Sequence, residues 1–390
     1  VRSVRKRRPM AARRLRPPSE RAERLGRSSL RHVVVAVTAR PSYSRIKTAL
    51  VALRARPDVR LSIVACASAV VTRFGRVADL IRADGFEVAA EVSSVVEEDS
   101  LSSSALSTGV LLTQLSGIFA GLKPDIVVTI ADRHETLATA IAASYQNIPL
   151  CHIQGGEVSG SIDDKVRNAV TQLADIHCVA TPQAAWNVSQ ARGYYENPLG
   201  PGVYRTGCPS IDLAAEARRL GAFPHSRVMV LQHPVTTQTA QAADQMRATV
   251  EALKGMDTLY FWPGEDAGGQ AMSKVLRLAG IKPVRNISPL NFPRTLMGAS
   301  CLVGNSSVGI RECSFLGVPV VNVGTRQEGR ERAANVVDVP HDVDAIRQET
   351  TRLCVMMKDG PFPSSHLYGD GHAGERIAAI LSGRAIEAVA

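Results

Sequence analysis

The sequence predicts an α/β protein: two Rossmann-like, doubly wound halves facing a cleft. Three observations carry that prediction. From residue 32 onward, short β-branched apolar runs alternate with helical patterns, which is the signature of a parallel sheet covered by helices. The apolar runs are continuous rather than alternating, as strands buried on both faces require. A Pro/Gly/Tyr-rich loop over 193–207 interrupts the series, and a second series of the same kind follows.

In order, the run at 32–39 reads as a strand and 43–54 as a helix; 60–67 is a strand and 70–84 a helix. A loop rich in Ser and Glu reaches about 100, and 101–122 is a helix. The half is completed by strand 125–130, helix 135–146, strand 149–153, helix 164–173, strand 176–180 and a short strand at 204–205. After helix 211–220 the second half runs through strands 227–231, 257–262, 284–286, 301–304 and 318–323. Its helices are expected at 239–253, 269–279, 291–297 and 309–316. The predicted division is a tail at 1–31, a first domain at 32–205, a second at 206–372, and a helix in 373–390. That last helix, at 373–381 with a continuation toward 386, is expected to cross back to the first domain.

The net charge of +10 belongs to one place. Residues 1–31 hold twelve Lys and Arg against Glu20 and Glu23, and the rest of the chain balances at 34 basic and 34 acidic residues. The folded body therefore gives no electrostatic reason to bind nucleic acid. The tail has no apolar periodicity and contains Pro17-Pro18, so disorder is expected. Its Arg pairs resemble an export signal, but the run 33–37 is too short for the apolar region such a signal needs. A Val at position 1 and Met10 suggest a functionless extension, with an anion-binding arm as the alternative. Seven scattered cysteines, never in CxxC spacing, argue against a disulfide framework and against zinc. No apolar run reads as a membrane span, and the protein is expected to be cytoplasmic.

The polar residues cluster where parallel sheets bind ligands, just past the strand ends. The run PDIVVTI ends in Ala131-Asp132-Arg133-His134-Glu135, and IPLCHI ends in Gln154-Gly155-Gly156-Glu157 followed by Asp163, Asp164 and Arg167. Asp132 could instead cap the following helix, and Glu157 could form a loop salt bridge. Asp163 or Asp164 is equally readable as a cap; Asp163 and Arg167, four apart, share a helix face. In the second half, Gly304-Asn305-Ser306-Ser307 leads into Glu312, a small-residue turn before a helix N-terminus that suits an anion. His233 and Arg326 follow two other strand ends.

Taken together, these segments resemble the hydrolysing UDP-N-acetylglucosamine 2-epimerases over about 32–345. The resemblance rests on Arg40-Pro41-Ser42-Tyr43-Ser44, Ala131-Asp132-Arg133, HIQGGEVSGSIDD at 152–164, Gly207-Cys208-Pro209-Ser210, LQHPVTT at 231–237, GNSSVGIRE at 304–312 and GTRQEGR at 324–330. It implies a glycosyltransferase-B-like fold and conversion of UDP-N-acetylglucosamine and water to N-acetylmannosamine and UDP. It implies further a UDP-sugar as the only ligand, no cofactor or metal, and a homodimer or homotetramer. Asp132 and Glu157 become the leading acid/base pair, with Asp163 and Arg167 beside them. Arg40, Ser44 and Arg133 are expected on the sugar or diphosphate; His233, Ser306, Ser307, Glu312 and Arg326 are expected around the nucleotide.

Three departures from the family pattern leave the exact sugar open: Ala131 where Gly is common, Asn168 where His is, and Gly264 where Asn is. A modified N-acetylhexosamine is one alternative. A non-hydrolysing epimerase and a glycosyltransferase of the same fold are others.

Overall fold

The computed structural model describes residues 30–383 except 97–99, 161, 198, 265 and 286. The basic tail up to residue 29 and any continuation of the last helix to 386 lie outside the described residues. Seven strands form the first sheet: β1 (Arg31–Val37), β2 (Val59–Cys66), β3 (Val88–Val92), β4 (Ile126–Ile130), β5 (Leu150–Ile153), β6 (Ile176–Val179) and β7 (Val203–Arg205). Five form the second: β8 (Val228–Leu231), β9 (Thr258–Tyr260), β10 (Cys301–Gly304), β11 (Val320–Val323) and β12 (Val336–Val339). The strand orders are β3-β2-β1-β4-β5-β6-β7 and β12-β11-β10-β8-β9. Every pairing between these strands is parallel. The order reverses between β1 and β4 in one sheet and between β8 and β10 in the other. Ligands bind at such switch points, because the flanking connections part there and leave a crevice at the strand ends.

The continuous apolar runs are explained by two-sided burial. In β1, Val33, Val35 and Val37 enter one core while Val34 enters another on the opposite face. In β8, Val228 and Val230 face one core and Met229 and Leu231 the other. The helix Ala373–Leu381 leaves the second lobe and packs Ile377, Ala378, Ile380 and Leu381 among Leu50, Leu53 and Ile81 of the first. Each large aliphatic side chain buried there contributes about 1.5–3 kcal/mol. Asp212 fastens the crossing: its carboxylate accepts from Thr48 Oγ1 (2.8 Å), Ala373 N (2.9 Å) and Gly374 N (2.7 Å).

Several elements differ from the sequence reading. The segment read as a loop before 100 contains β3, and β12 with the helix Val343–Met356 extends the second half. Both missed strands are sheet edges, half exposed, and so without the continuous apolar run that marks a central strand. The helix Pro182–Ala191 was also missed, although Thr181 caps it by accepting from Ala184 N and Pro182 opens it. The expected helix at 70–84 is two 3₁₀ turns followed by Val77–Ala83. The expected helix at 43–54 is broken at Arg45 and Ile46, and that at 309–316 at Arg311. Of the strand expected at 284–286, Val284 bridges to Phe261, and residue 286 lies outside the described residues.

One expectation about membranes needs correction. Ser102–Leu122 is, by length and composition, apolar enough to cross a bilayer. It packs Leu111, Leu115 and Phe119 against the sheet, and a lone helix of this kind also occurs in the cores of soluble proteins. Its outer face carries no charged residue and leaves Leu106 and Val110 exposed.

Candidate active site

The two switch points face each other, and the side chains between them form one buried ionic cluster. From the first lobe, β4 delivers Asp132, the loop after β5 delivers Glu157, and the helix Ile162–Leu173 delivers Arg167. Arg167 is fully enclosed. It pairs with Asp132 and with Asp164, and it donates to the Glu157 carbonyl (2.6 Å) and Ser159 Oγ (3.1 Å). Asp164 is further held by Ser159 N (2.8 Å) and Gly160 N (2.7 Å), which makes it the organiser of the loop entering the helix. The two carboxylates read as possible caps both lie in the first turn of the helix, and these bonds of Asp164 run to amides that precede it. The helical partner of Arg167 is thus Asp164, three residues back. Asp132 does not cap its own following helix, whose N-cap, Arg133, receives no side-chain cap.

The second lobe reaches into this cluster with two buried arginines. Arg311 Nη2 lies 2.5 Å from Glu157 Oε2, and Arg330 pairs with the same carboxylate while standing 3.6 Å from Asp132 Oδ2. Glu157 is therefore in a salt bridge, but a buried one between lobes. Removing one partner of such a pair leaves an uncompensated charge. Glu157 Oε1 has no partner among the described residues. Arg45, from the first lobe, donates to Ser307 Oγ (2.6 Å). Arg133 spans the cleft as well, to Glu135 (3.2 Å) and to Asp266 (3.0 Å).

These neighbours separate the carboxylates electrostatically. Burial pushes the Asp132 carboxyl up, but Arg167, Arg330 and Arg45 outweigh it and hold it well below the usual range. Asp163 behaves oppositely: burial and the charge of Asp132, only partly countered by Arg326, push it up to about 6. Burial lowers Arg40 to about 10, and its half-buried guanidinium has no carboxylate partner among the described residues. The Ser44 hydroxyl turns back to the Arg40 carbonyl (3.3 Å).

The second-lobe strand ends are joined by neutral groups. Asn305 accepts from His233 N (2.7 Å) and donates to the His233 carbonyl (2.8 Å). Its own carbonyl accepts from Arg326 (3.2 Å) and Gln327 (2.9 Å). Burial and Arg326 lower His233 to about 3. Its Nδ1 accepts from Gly264 N (2.9 Å), so the proton of the neutral ring sits on Nε2. A Cβ at Gly264 would lie 3.2 Å from that Nδ1, so a larger residue would press on the imidazole. Ser306 is the helix cap, its hydroxyl accepting from Val308 N (3.5 Å). Glu312 is half-buried and makes no ion pair with any described residue. Asn168 is exposed.

Two parallel-sheet lobes bring charged side chains together at both switch points, and residues 51–382 match the family described as UDP-N-acetylglucosamine 2-epimerase. The chain belongs to that family. The epimerase is 29% identical over 368 residues to the UDP-N,N'-diacetylbacillosamine 2-epimerase (hydrolyzing) of Legionella pneumophila, covering 90% of this chain and 96% of that one. It is 25% identical over 371 residues to the UDP-N-acetylglucosamine 2-epimerase of Neisseria meningitidis, covering 90% and 95%. A crystal structure of UDP-GlcNAc 2-epimerase from Neisseria meningitidis bound to UDP-GlcNAc superposes with a TM-score of 0.72, covering 90% of this chain and 99% of that one at 16% identity. That likeness fixes the glycosyltransferase-B-like fold.

Sequence reasoning missed Arg45, Arg311 and Arg330 in this epimerase. Arg311 and Arg330 stand inside the motifs GNSSVGIRE and GTRQEGR, beside the more conspicuous Ser306, Ser307, Glu312 and Arg326. Only the tertiary structure shows that their charges are spent on the other lobe.

Proposed function

We propose that the protein is a hydrolysing epimerase that converts UDP-N-acetylglucosamine, or a modified UDP-N-acetylhexosamine, and water to the free 2-epimeric sugar and UDP. The observation that carries this reading is the interlobe cluster. Carboxylates of the first lobe stand beside arginines of the second, next to the helix that begins at Ser307. Residues 32–205 supply the sugar side and 206–372 the UDP side, with Ser307, Glu312, His233 and Arg326 near the nucleotide.

Epimerisation at carbon 2 with loss of UDP needs a base for the carbon-2 proton and cations for the leaving diphosphate. Elimination gives a glycal. Water then adds to carbon 1, and a proton is delivered to carbon 2 from the other face. Asp163 has the proton affinity best matched to a base near neutral pH, while Asp132 and Glu157 are clamped by arginines. A diphosphate that draws Arg311 and Arg330 toward itself frees Glu157 for chemistry, while Asp132 keeps its pairing with Arg167. The pair Asp132 and Glu157, with Asp163 as the group exchanging protons with solvent, is the assignment we propose.

The hydrolysing outcome is supported by the likeness to the Legionella pneumophila relative, a hydrolyzing 2-epimerase, and by the segment 152–164. The test is incubation in deuterated water with UDP-N-acetylglucosamine, and separately with UDP-N,N'-diacetylbacillosamine, followed by NMR. Free UDP together with a free 2-epimer deuterated at carbon 2 is the expected result. A UDP-linked epimer without free UDP would establish the non-hydrolysing reaction instead. Turnover is expected to survive EDTA. We further propose a homodimer or homotetramer that buries the uncharged outer face of Leu101–Leu122. Sedimentation of Leu106→Glu, expected to be smaller than the wild type, checks it.

A further inference from the structure

Asp132 is positioned by the residue before it, and that residue is in an unusual conformation. Ala131 has φ +68°, in the left-handed region, which costs a non-glycine residue about 1–2 kcal/mol. Such a conformation persists only where its surroundings impose it. Two hydrogen bonds do so here. Ala131 N donates to the Ile153 carbonyl (2.9 Å), and the Ala131 carbonyl lies 2.9 Å from His152 Nε2. A carbonyl can only accept, so His152 carries its proton on Nε2. Burial lowers the imidazole to about 4, which keeps it neutral.

The other ring nitrogen fixes the second half of the arrangement. His152 Nδ1 stands 3.4 Å from Thr171 Oγ1. Thr171 is one helical turn beyond Arg167, on the same face of Ile162–Leu173. The ring thus ties the peptide preceding Asp132 to the helix bearing the partner of Asp132. Gly155 closes over it: a Cβ there would lie 2.9 Å from His152 Nδ1 and 3.2 Å from Thr171 Oγ1. The ring is wholly buried.

We propose that His152 is a positioning residue: by holding Ala131 in its left-handed turn against the Thr171 face, it sets the Asp132 carboxylate on Arg167 in reactive register. The proposal rests on the assignment of Asp132 to the carbon-2 chemistry. A misplacement of about 1 Å in such a group costs on the order of 100-fold in rate.

The experiment combines His152→Ala, His152→Asn and His152→Gln with Ala131→Gly. It measures kcat, KM for UDP-N-acetylglucosamine, UDP affinity, Tm and the crystal structure of the best-behaved variant. His152→Ala should lower kcat on the order of 100-fold with KM and UDP affinity nearly unchanged. An amide that still donates to the Ala131 carbonyl should restore part of the rate. Adding Ala131→Gly, which removes the strain that the imidazole opposes, should recover much of the rate while returning only a small part of Tm. The crystal structure should show Asp132 displaced from Arg167. A structure in which Ala131 keeps its positive φ and Asp132 stays on Arg167 without the imidazole would overturn the proposal, whatever the substrate is. Loss of activity only in proportion to Tm, with no recovery from Ala131→Gly, would overturn it too. Asp132→Asn measured alongside separates the two ideas: an active Asp132→Asn enzyme sinks the role of Asp132 itself. An inactive one beside a fully active His152→Ala enzyme sinks only the positioning.

Discussion

The two lobes solve the same problem, ending parallel strands at a cleft, in opposite ways. In the second lobe the turns fall on glycines: Gly304 at φ +136° ends β10 and Gly324 at φ +76° follows β11. The loops there are joined by the neutral side chain of Asn305. In the first lobe three strands end on left-handed residues that are not glycine: Ala67 after β2, Ala131 after β4 and Gln154 after β5. Its loops are joined by ion pairs around Arg167. Glycine turns and neutral bonds suit a site that has only to present donors to a ligand. Strained turns and buried charges fit the placing of reactive groups, since strain concentrates where geometry is part of the mechanism.

The largest effects should come from the first lobe. Asp132→Asn and Glu157→Gln are each expected to lower turnover by on the order of 10³-fold while UDP affinity, measured by calorimetry, survives. Retained turnover in either would remove that carboxylate from the chemistry and weaken the contrast between lobes. Next are the arginines that cross it. Arg311→Met or Arg330→Met leaves Glu157 with one fewer buried partner, so each should cost about 3 kcal/mol in urea denaturation. Ser306→Ala, a cap in the neutral lobe, should cost only about 1 kcal/mol. Equal losses would mean that the cluster is less buried than the geometry requires.

How much of this was legible beforehand follows the same physics. Central strands announce themselves because both faces are buried, and Cys301–Gly304 was read to the residue. The edge strands β3 and β12 were missed because each is short and its apolar run is broken by an acid, Glu91 or Asp338. The motif residues were found because polar side chains after apolar runs are conspicuous. Their partnerships were not, since the pairing of Arg311 with Glu157 spans 154 positions and depends on how two sheets meet. The comparison of Ala131 with the glycine common in related sequences was visible, but only the backbone angle gives it meaning.

Asp163 tests the electrostatic half of the contrast. Its folded pKa of about 6 lies above the ordinary aspartate value of 3.8. The folded state therefore binds more protons than the unfolded state between those values, and stability falls as pH rises through that window and levels off above it. Asp163→Asn should abolish this slope in denaturation curves taken from pH 4 to 7. If ionised Asp163 exchanges protons between solvent and the pair Asp132 and Glu157, kcat of the wild type should rise through pH 6, and the variant should lose that limb. A neutral His233, titrating near 3, adds no limb between pH 5 and 8.

The smallest expected effect is the most direct probe of strain. Ala131→Gly should raise stability by about 0.5–1 kcal/mol, because relief of the left-handed turn exceeds the entropy glycine adds to the unfolded chain. Gly304→Ala should do the reverse by about 1–3 kcal/mol, since the new Cβ would meet the Leu231 carbonyl at a backbone angle L-residues avoid. Opposite signs, read from midpoints of thermal and urea unfolding, would show that the reacting lobe carries strain the other lobe avoids. If Ala131→Gly instead loses stability, the hydrogen bonds from His152 and to Ile153 already make the turn free of cost. The alanine would then be a neutral departure from the family rather than a strained one.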